Sequence, residues 1–196
     1  MKKILLSVLM AGSLMSARAT LFQYSVIFSS AGEANPSTAT GFGTVDYDST
    51  LHTLALSATF NGLLGNSTAS HIHSPTAVAG TGSAGVATTT PSFALFPLGV
   101  TSGTFANTLD LTLASSYNDP TYINAHGGTT AQAEADLTAS FAQGKAYWNI
   151  HSTFGPGGEI RGFLQPVPEP SAFALAGLGG VSLAARAWNK RRARKA

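Results

Sequence analysis

Residues 145–164, KAYWNIHSTFGPGGEIRGFL, alternate strictly until a glycine-rich break. Ala146, Trp148 and Ile150 fall on one face of a period-two segment and Tyr147, Asn149 and His151 on the other, while the proline and glycines at 155–158 have the composition of a turn. The stretch reads as strand, turn, strand, with Trp148 and Ile150 on the buried side. In the second strand Glu159 and Arg161 stand two residues apart, which puts them on one face beside His151. A Glu–Arg pair there would satisfy itself by mutual hydrogen bonds in a structural role.

The same period runs upstream. Phe22, Tyr24, Val26 and Phe28 share a face of one segment, and Leu54, Leu56, Ala58 and Phe60 share a face of another. Residues 104–113 repeat the pattern through Leu109, Leu111 and Leu113. Turn-forming clusters such as Tyr47-Asp48-Ser49-Thr50 and Asn61-Gly62 separate these short runs, which predicts an all-β antiparallel sandwich or barrel. One segment breaks the period. Over residues 128–145, Thr129 and Gln132 form a capping box, Leu137 and Phe141 share a helical face, and Gly144 is a stop, so one short helix of about three turns is expected. The stretch before it, residues 115–128, reads as a loop whose Tyr117 and Tyr122 pin it to the core.

Both ends of the chain read as targeting segments. Residues 1–19 place Lys2 and Lys3 before an apolar run and end in Ala17-Arg18-Ala19, the order of a signal peptide cleaved after Ala19. The apolar run is shorter than the roughly 20 residues that a membrane span needs. Residues 167–196 open with Val167-Pro168-Glu169-Pro170, continue as an apolar stretch to Trp188 and close on Lys190, Arg191, Arg192, Arg194 and Lys195. An apolar span before a cationic tail follows the positive-inside pattern and predicts a C-terminal transmembrane helix that holds the chain to the membrane before cleavage. Residues 20–166 remain as a single domain.

Charge sorts the same way. The chain carries 11 Lys and Arg against 9 Asp and Glu, a net of +2. Between Thr20 and Pro166 only Lys145 and Arg161 oppose eight acidic residues, a net of −6, so the basic excess belongs to the two ends and speaks against nucleic-acid partners. With no cysteine, the exported domain has to be stabilised by its core rather than by disulfides.

The chain has only 5 histidines, and two flank one isoleucine in His71-Ile72-His73. Together with Tyr147-Trp148-Asn149-Ile150-His151 and Gly157-Gly158-Glu159-Ile160-Arg161-Gly162, this segment resembles the chordin-type (CHRD) domain. That resemblance covers roughly Phe22 to Gln165, with Ser152 where the family usually has Thr and Trp148 where a smaller aliphatic is usual. It implies an immunoglobulin-like β-barrel with a distant likeness to copper-zinc superoxide dismutases, and extracellular protein binding in the animal protein. The C-terminal segment resembles the PEP-CTERM sorting signal, carried by Val167, Pro168, Glu169 and Pro170, the apolar span and the basic end. It implies recognition by an exosortase in a Gram-negative envelope, removal of the tail, and delivery to the cell surface or its exopolysaccharide matrix.

Period two puts His71 and His73 on one face with Ile72 pointing inward, and His151 could supply a third nitrogen to one zinc or copper ion. No further clustered His and Asp follow His73, and His52 and His126 stand in isolated contexts, which disfavours a catalytic dismutase. The reading preferred from sequence is a metal-free polar cluster of His71, His73, Asn149, His151, Glu159 and Arg161, with Arg161 or Glu159 lying among the imidazoles. There is no G-x-S-x-G elbow and no carboxylate pair placed for acid-base work, and Gly80, Gly82 and Gly85 do not open a helix. The chain therefore reads as an exported, surface-sorted binding or structural module that is not an enzyme and needs no cofactor. Its processing partners would be signal peptidase and exosortase, and its candidate ligands exopolysaccharide or surface proteins. The alternative is a zinc- or copper-binding, dismutase-like domain with a redox or sequestering role.

Overall fold

A computed structural model describes residues 21–168. The expected signal peptide, the C-terminal transmembrane helix and residues Glu169 and Pro170 of the sorting motif lie outside the described residues. Among the described residues no helix is long and apolar enough to cross a membrane.

Among the described residues, eight antiparallel strands form two sheets. The first sheet contains β1 (Leu21–Phe28), β2 (Thr40–Asp48), β3 (Thr53–Asn61), β5 (Gly103–Asp110) and the short β8 (Gln165–Pro166), in the order β5-β3-β2-β1-β8. The second has the order β4-β6-β7, built from β4 (Ser67–His73), β6 (Tyr147–Ser152) and β7 (Ile160–Phe163). Alternation decides which side chains go inside: Tyr24, Val26 and Phe28 from β1 and Leu54, Leu56, Ala58 and Phe60 from β3 are buried. Between β2 and β3 the Asp48 carboxylate accepts hydrogen bonds from the backbone N–H groups of Thr50 (2.8 Å) and Leu51 (3.0 Å), the local bonding that favours Asp in turns.

Trp148 is the centre of the core. It is fully buried, meets Phe28, Phe93 and Phe105 edge-on at centroid distances of 5.4, 5.7 and 6.1 Å, and donates from its indole N–H to Ser70 Oγ at 2.7 Å. Because Phe28 and Phe105 belong to the first sheet and Trp148 to the second, these contacts stack the two sheets as a sandwich. One side is partly closed as well. Ser29 and Arg161 exchange backbone hydrogen bonds of 3.1 and 2.9 Å, joining the end of β1 to β7. A Cβ at Gly162 would collide with the Ile27 carbonyl oxygen, so this closure requires glycine.

Three details depart from the sequence reading. Strand β5 ends at Asp110, whose carboxylate binds Thr112 through its N–H (2.9 Å) and hydroxyl (2.6 Å) and turns the chain. Leu109 and Leu111 are buried as expected, but Leu113 lies past the turn and is 53% exposed. The loop before the main helix contains a second helix, α1 (Thr121–Ala125), too short for a 3.6-residue period to show. Tyr117 and Tyr122 do anchor this segment: both are buried, and Tyr117 donates to the Leu111 carbonyl at 2.9 Å. The main helix, α2 (Thr130–Ala142), starts under the Thr129 side chain, which accepts the Gln132 N–H at 3.2 Å, and buries Leu137 and Phe141. Gln132 turns forward to Asp136 (3.2 Å), so only half of the expected capping box forms.

The connection between β4 and β5 runs along the free edge of β4. Its backbone bonds Ile72 through Ala87 N–H (2.9 Å) and Ser70 through Phe93 N–H (3.1 Å), covering an edge that would otherwise offer unpaired groups. It also carries the Ala84 and Pro91 carbonyls to the outer face of the second sheet, where the histidines stand.

Candidate functional site

Strand β4 turns Ile72 inward, fully buried, and His71 and His73 outward. Pairing with β6 sets Asn149 opposite His71, Tyr147 opposite His73, and His151 opposite Ala69. His151 is thus the diagonal neighbour of His71, within reach of a ring although not directly across from it. The three rings meet: centroids are 5.0 Å apart for His71–His151, 5.8 Å for His71–His73 and 5.9 Å for His73–His151. One ring nitrogen from each lies within 4.8 Å of the others, and His71 Nδ1 is 3.3 Å from His151 Nε2.

Each ring donates to a backbone carbonyl with its remaining nitrogen. His71 Nε2–H reaches Pro91 O at 2.6 Å, His73 Nδ1–H reaches Ala84 O at 3.0 Å, and His151 Nδ1–H reaches Pro156 O at 2.9 Å. A carbonyl oxygen can only accept, so these contacts assign the proton-bearing nitrogen of each ring. His71 and His73 are 6% and 7% exposed, and His73 Nε2 is buried without a hydrogen-bond partner. Burial lowers the pKa of all three rings below the ordinary histidine value, His73 furthest, to about 4. The carbonyl contacts oppose that shift, while the mutual proximity of the rings deepens it for His71 and His73. The rings are therefore neutral at pH 7.

Asn149, Glu159 and Arg161 do not join this group. Asn149 donates from Nδ2 to the Gly157 carbonyl at 3.3 Å, steadying the hairpin turn. Glu159 sits on a bend ahead of β7, so its side chain escapes the strand's alternation and turns to the opposite side from Arg161. It is fully buried, and its carboxylate accepts from Ser37 Oγ (2.6 Å), Leu64 N–H (2.6 Å), Gly65 N–H (3.3 Å) and Ser152 Oγ. Burial pushes its pKa up, but those four donors outweigh burial and hold it below the usual glutamate value. Arg161 instead pairs with Glu33 at 3.5 Å and lies over the Tyr147 ring, 4.6 Å from its centroid, while the same Tyr147 stacks on His73 at 4.8 Å. The expected Glu159–Arg161 pair is absent, and neither residue occupies the space between the imidazoles.

Two further polar contacts had no signal in the sequence. His52 Nδ1 lies 3.0 Å from both oxygens of Glu134, which also accepts from the Tyr47 hydroxyl at 2.7 Å. His126 Nδ1 lies 2.9 Å from Asp136 Oδ2. Both ties fasten α2 to its surroundings, and the partners meet only through tertiary folding.

Residues 166–192 match the PEP-CTERM protein-sorting motif, which marks proteins exported through exosortase to the surface of Gram-negative bacteria. No curated protein and no solved structure matches the chain. Residues 24–164 match the CHRD domain, a span that runs from β1 to the end of β7 and includes every residue of the imidazole cluster, so the chain belongs to the CHRD domain family.

Proposed function

We propose that the protein is an exported, exosortase-sorted surface module that binds or builds rather than catalyses. It enters the envelope on residues 1–19, is cut after Ala19 by signal peptidase, is held by its C-terminal span, and is cut and released by exosortase to the cell surface or the exopolysaccharide matrix. The observation that carries this reading is the seam between the two matched segments. The CHRD match ends at residue 164 and the sorting motif begins at residue 166, inside β8. There β8 pairs with β1 through Tyr24 and Pro166, and Val167 N–H donates to Gln23 O at 2.8 Å. The described chain thus starts and ends at one edge of the first sheet, and the buried apolar residues of its core run from Tyr24 to Leu164 between those ends. Exopolysaccharide or another surface protein is the ligand class that fits such a location.

Replacing Pro168-Glu169-Pro170 by alanines should leave the protein exported but unprocessed, as read by fractionation and mass of the C-terminus. Deleting residues 1–19 should trap it in the cytoplasm. Normal surface delivery of the alanine variant would sink the sorting claim.

A further inference from the structure

We infer that His71, His73 and His151 form a binding site for one copper or zinc ion, with His71 coordinating through Nδ1 and the other two through Nε2. The first support is the direction of the lone pairs. With Nε2–H of His71 committed to Pro91 O, Nδ1–H of His73 to Ala84 O and Nδ1–H of His151 to Pro156 O, the nitrogen left over in each neutral ring is an acceptor. Two of those leftover nitrogens, His71 Nδ1 and His151 Nε2, lie 3.3 Å apart, and one ring nitrogen from each of the three histidines falls within 4.8 Å of the others. Two acceptors facing each other at 3.3 Å, His71 Nδ1 and His151 Nε2, cannot hydrogen-bond, because neither carries a hydrogen. A Lewis acid between them removes the conflict.

The second support is independent: His73 belongs to the ring cluster, and its Nε2 is buried with no hydrogen-bond partner among the described residues. An unsatisfied buried nitrogen costs stability unless something binds it. The distances fit as well. Metal–nitrogen bonds of about 2.0–2.1 Å in tetrahedral geometry set ligand nitrogens roughly 3.3–3.4 Å apart, which the His71–His151 pair already meets. A ring nitrogen of His73 lies within 4.8 Å of both.

Donor type selects the metal. Three neutral imidazoles with no carboxylate oxygen or thiolate suit copper and zinc and do not suit calcium or magnesium. The backbone carbonyls play the outer-shell part that fixes ring tautomer and orientation in metal-binding histidines. The domain's net charge of −6 draws cations toward it, and Glu33 lies 3.5 Å from the Arg161 guanidinium, whose positive charge is felt at His73. Three protein nitrogens leave one tetrahedral position for water or an incoming ligand.

The test uses the full chain, purified in mild detergent, stripped with chelator and titrated separately with Zn²⁺, Cu²⁺ and, under ascorbate, Cu⁺. Bound metal is measured by elemental analysis after gel filtration, and ring nitrogens by long-range ¹H–¹⁵N NMR. One equivalent should be retained, with metal-shifted resonances at His71 Nδ1, His73 Nε2 and His151 Nε2 only. His71→Gln, His73→Gln and His151→Gln should each weaken binding by more than the ~10–100-fold typical of losing an outer-shell partner. His52→Gln and His126→Gln should bind like the parent. Should a cluster variant fail to fold, the parent's NMR pattern alone decides. Retention of less than a tenth of an equivalent of every metal, binding undiminished in the folded cluster variants, or a proton shared between His71 and His151 in place of metal would each overturn the site. The assay is made on purified protein, so its failure leaves the export reading untouched, and failure of export leaves the metal result standing.

Discussion

A Glu159→Gln substitution keeps the shape of a fully buried side chain and exchanges one carboxylate oxygen for an amide NH₂. In the parent, one oxygen accepts from the Ser37 hydroxyl and the Leu64 N–H, and the other from the Ser152 hydroxyl and the Gly65 N–H. Either hydroxyl can rotate and accept from the new amide, but a backbone N–H cannot. Whichever way the amide turns, Leu64 or Gly65 is left pointing its N–H at another donor. A buried unsatisfied donor costs about 1–3 kcal/mol, and the surviving contacts drop from charge-assisted to neutral, roughly 1 kcal/mol each. Relief from desolvating a buried charge offsets part of this, giving a net loss of about 2–4 kcal/mol. With a urea m-value of roughly 2 kcal/mol/M, the midpoint should fall by about 1–2 M. Fluorescence of Trp148, with Trp188 replaced by Phe, reports the transition. A midpoint within about 0.3 M of the parent, at unchanged m, would refute the idea that this carboxylate ties the hairpin to the segments at Ser37 and Leu64.

The same carboxylate predicts a pH dependence. Its folded pKa lies below the unfolded value, so the stabilisation is complete above about pH 4.3 and is lost as pH falls through the lower folded pKa. Urea midpoints between pH 6 and 3 should therefore drop more steeply for the parent than for Glu159→Gln, and parallel curves would contradict the assignment. Trp148→Ala should cost about 3–5 kcal/mol, because it empties the space between Phe28, Phe93 and Phe105 and leaves Ser70 Oγ without its indole donor. A loss below about 1 kcal/mol in the same urea assay would mean that the two sheets do not depend on that ring.

Alternation made the strands legible. Trp148, Ile150 and Ile72 are buried as the period-two pattern requires, and the cap at Thr129 marks the start of α2. The pattern misled where the backbone leaves the strand conformation. Glu159 and Arg161 share a face only if both lie in one regular strand, and Glu159 precedes it on a bend. Leu113 failed for the same reason, one turn beyond β5. His71 and His73 could be placed together from spacing, but their meeting with His151 depends on the register between β4 and β6, which pairs Ala69 with His151. Register follows from side-chain fit across strands, so no local stretch encodes it. The carbonyls of Ala84, Pro91 and Pro156 carry no residue identity, and only the folded loops reveal them as partners of the rings.

His71 and His151 are 80 residues apart along the chain, yet their rings touch across neighbouring strands. An ion held by both would be a cross-link, closing a loop that spans more than half of the domain. By chain-entropy reasoning, a permanent link over that distance restricts the unfolded ensemble by roughly 4–5 kcal/mol, the scale of a disulfide. This chain has no cysteine with which to make one. Metal supply in the envelope would then regulate how long the domain survives proteases, since unloading the site removes the stabilisation that binding gives the folded state without breaking a covalent bond.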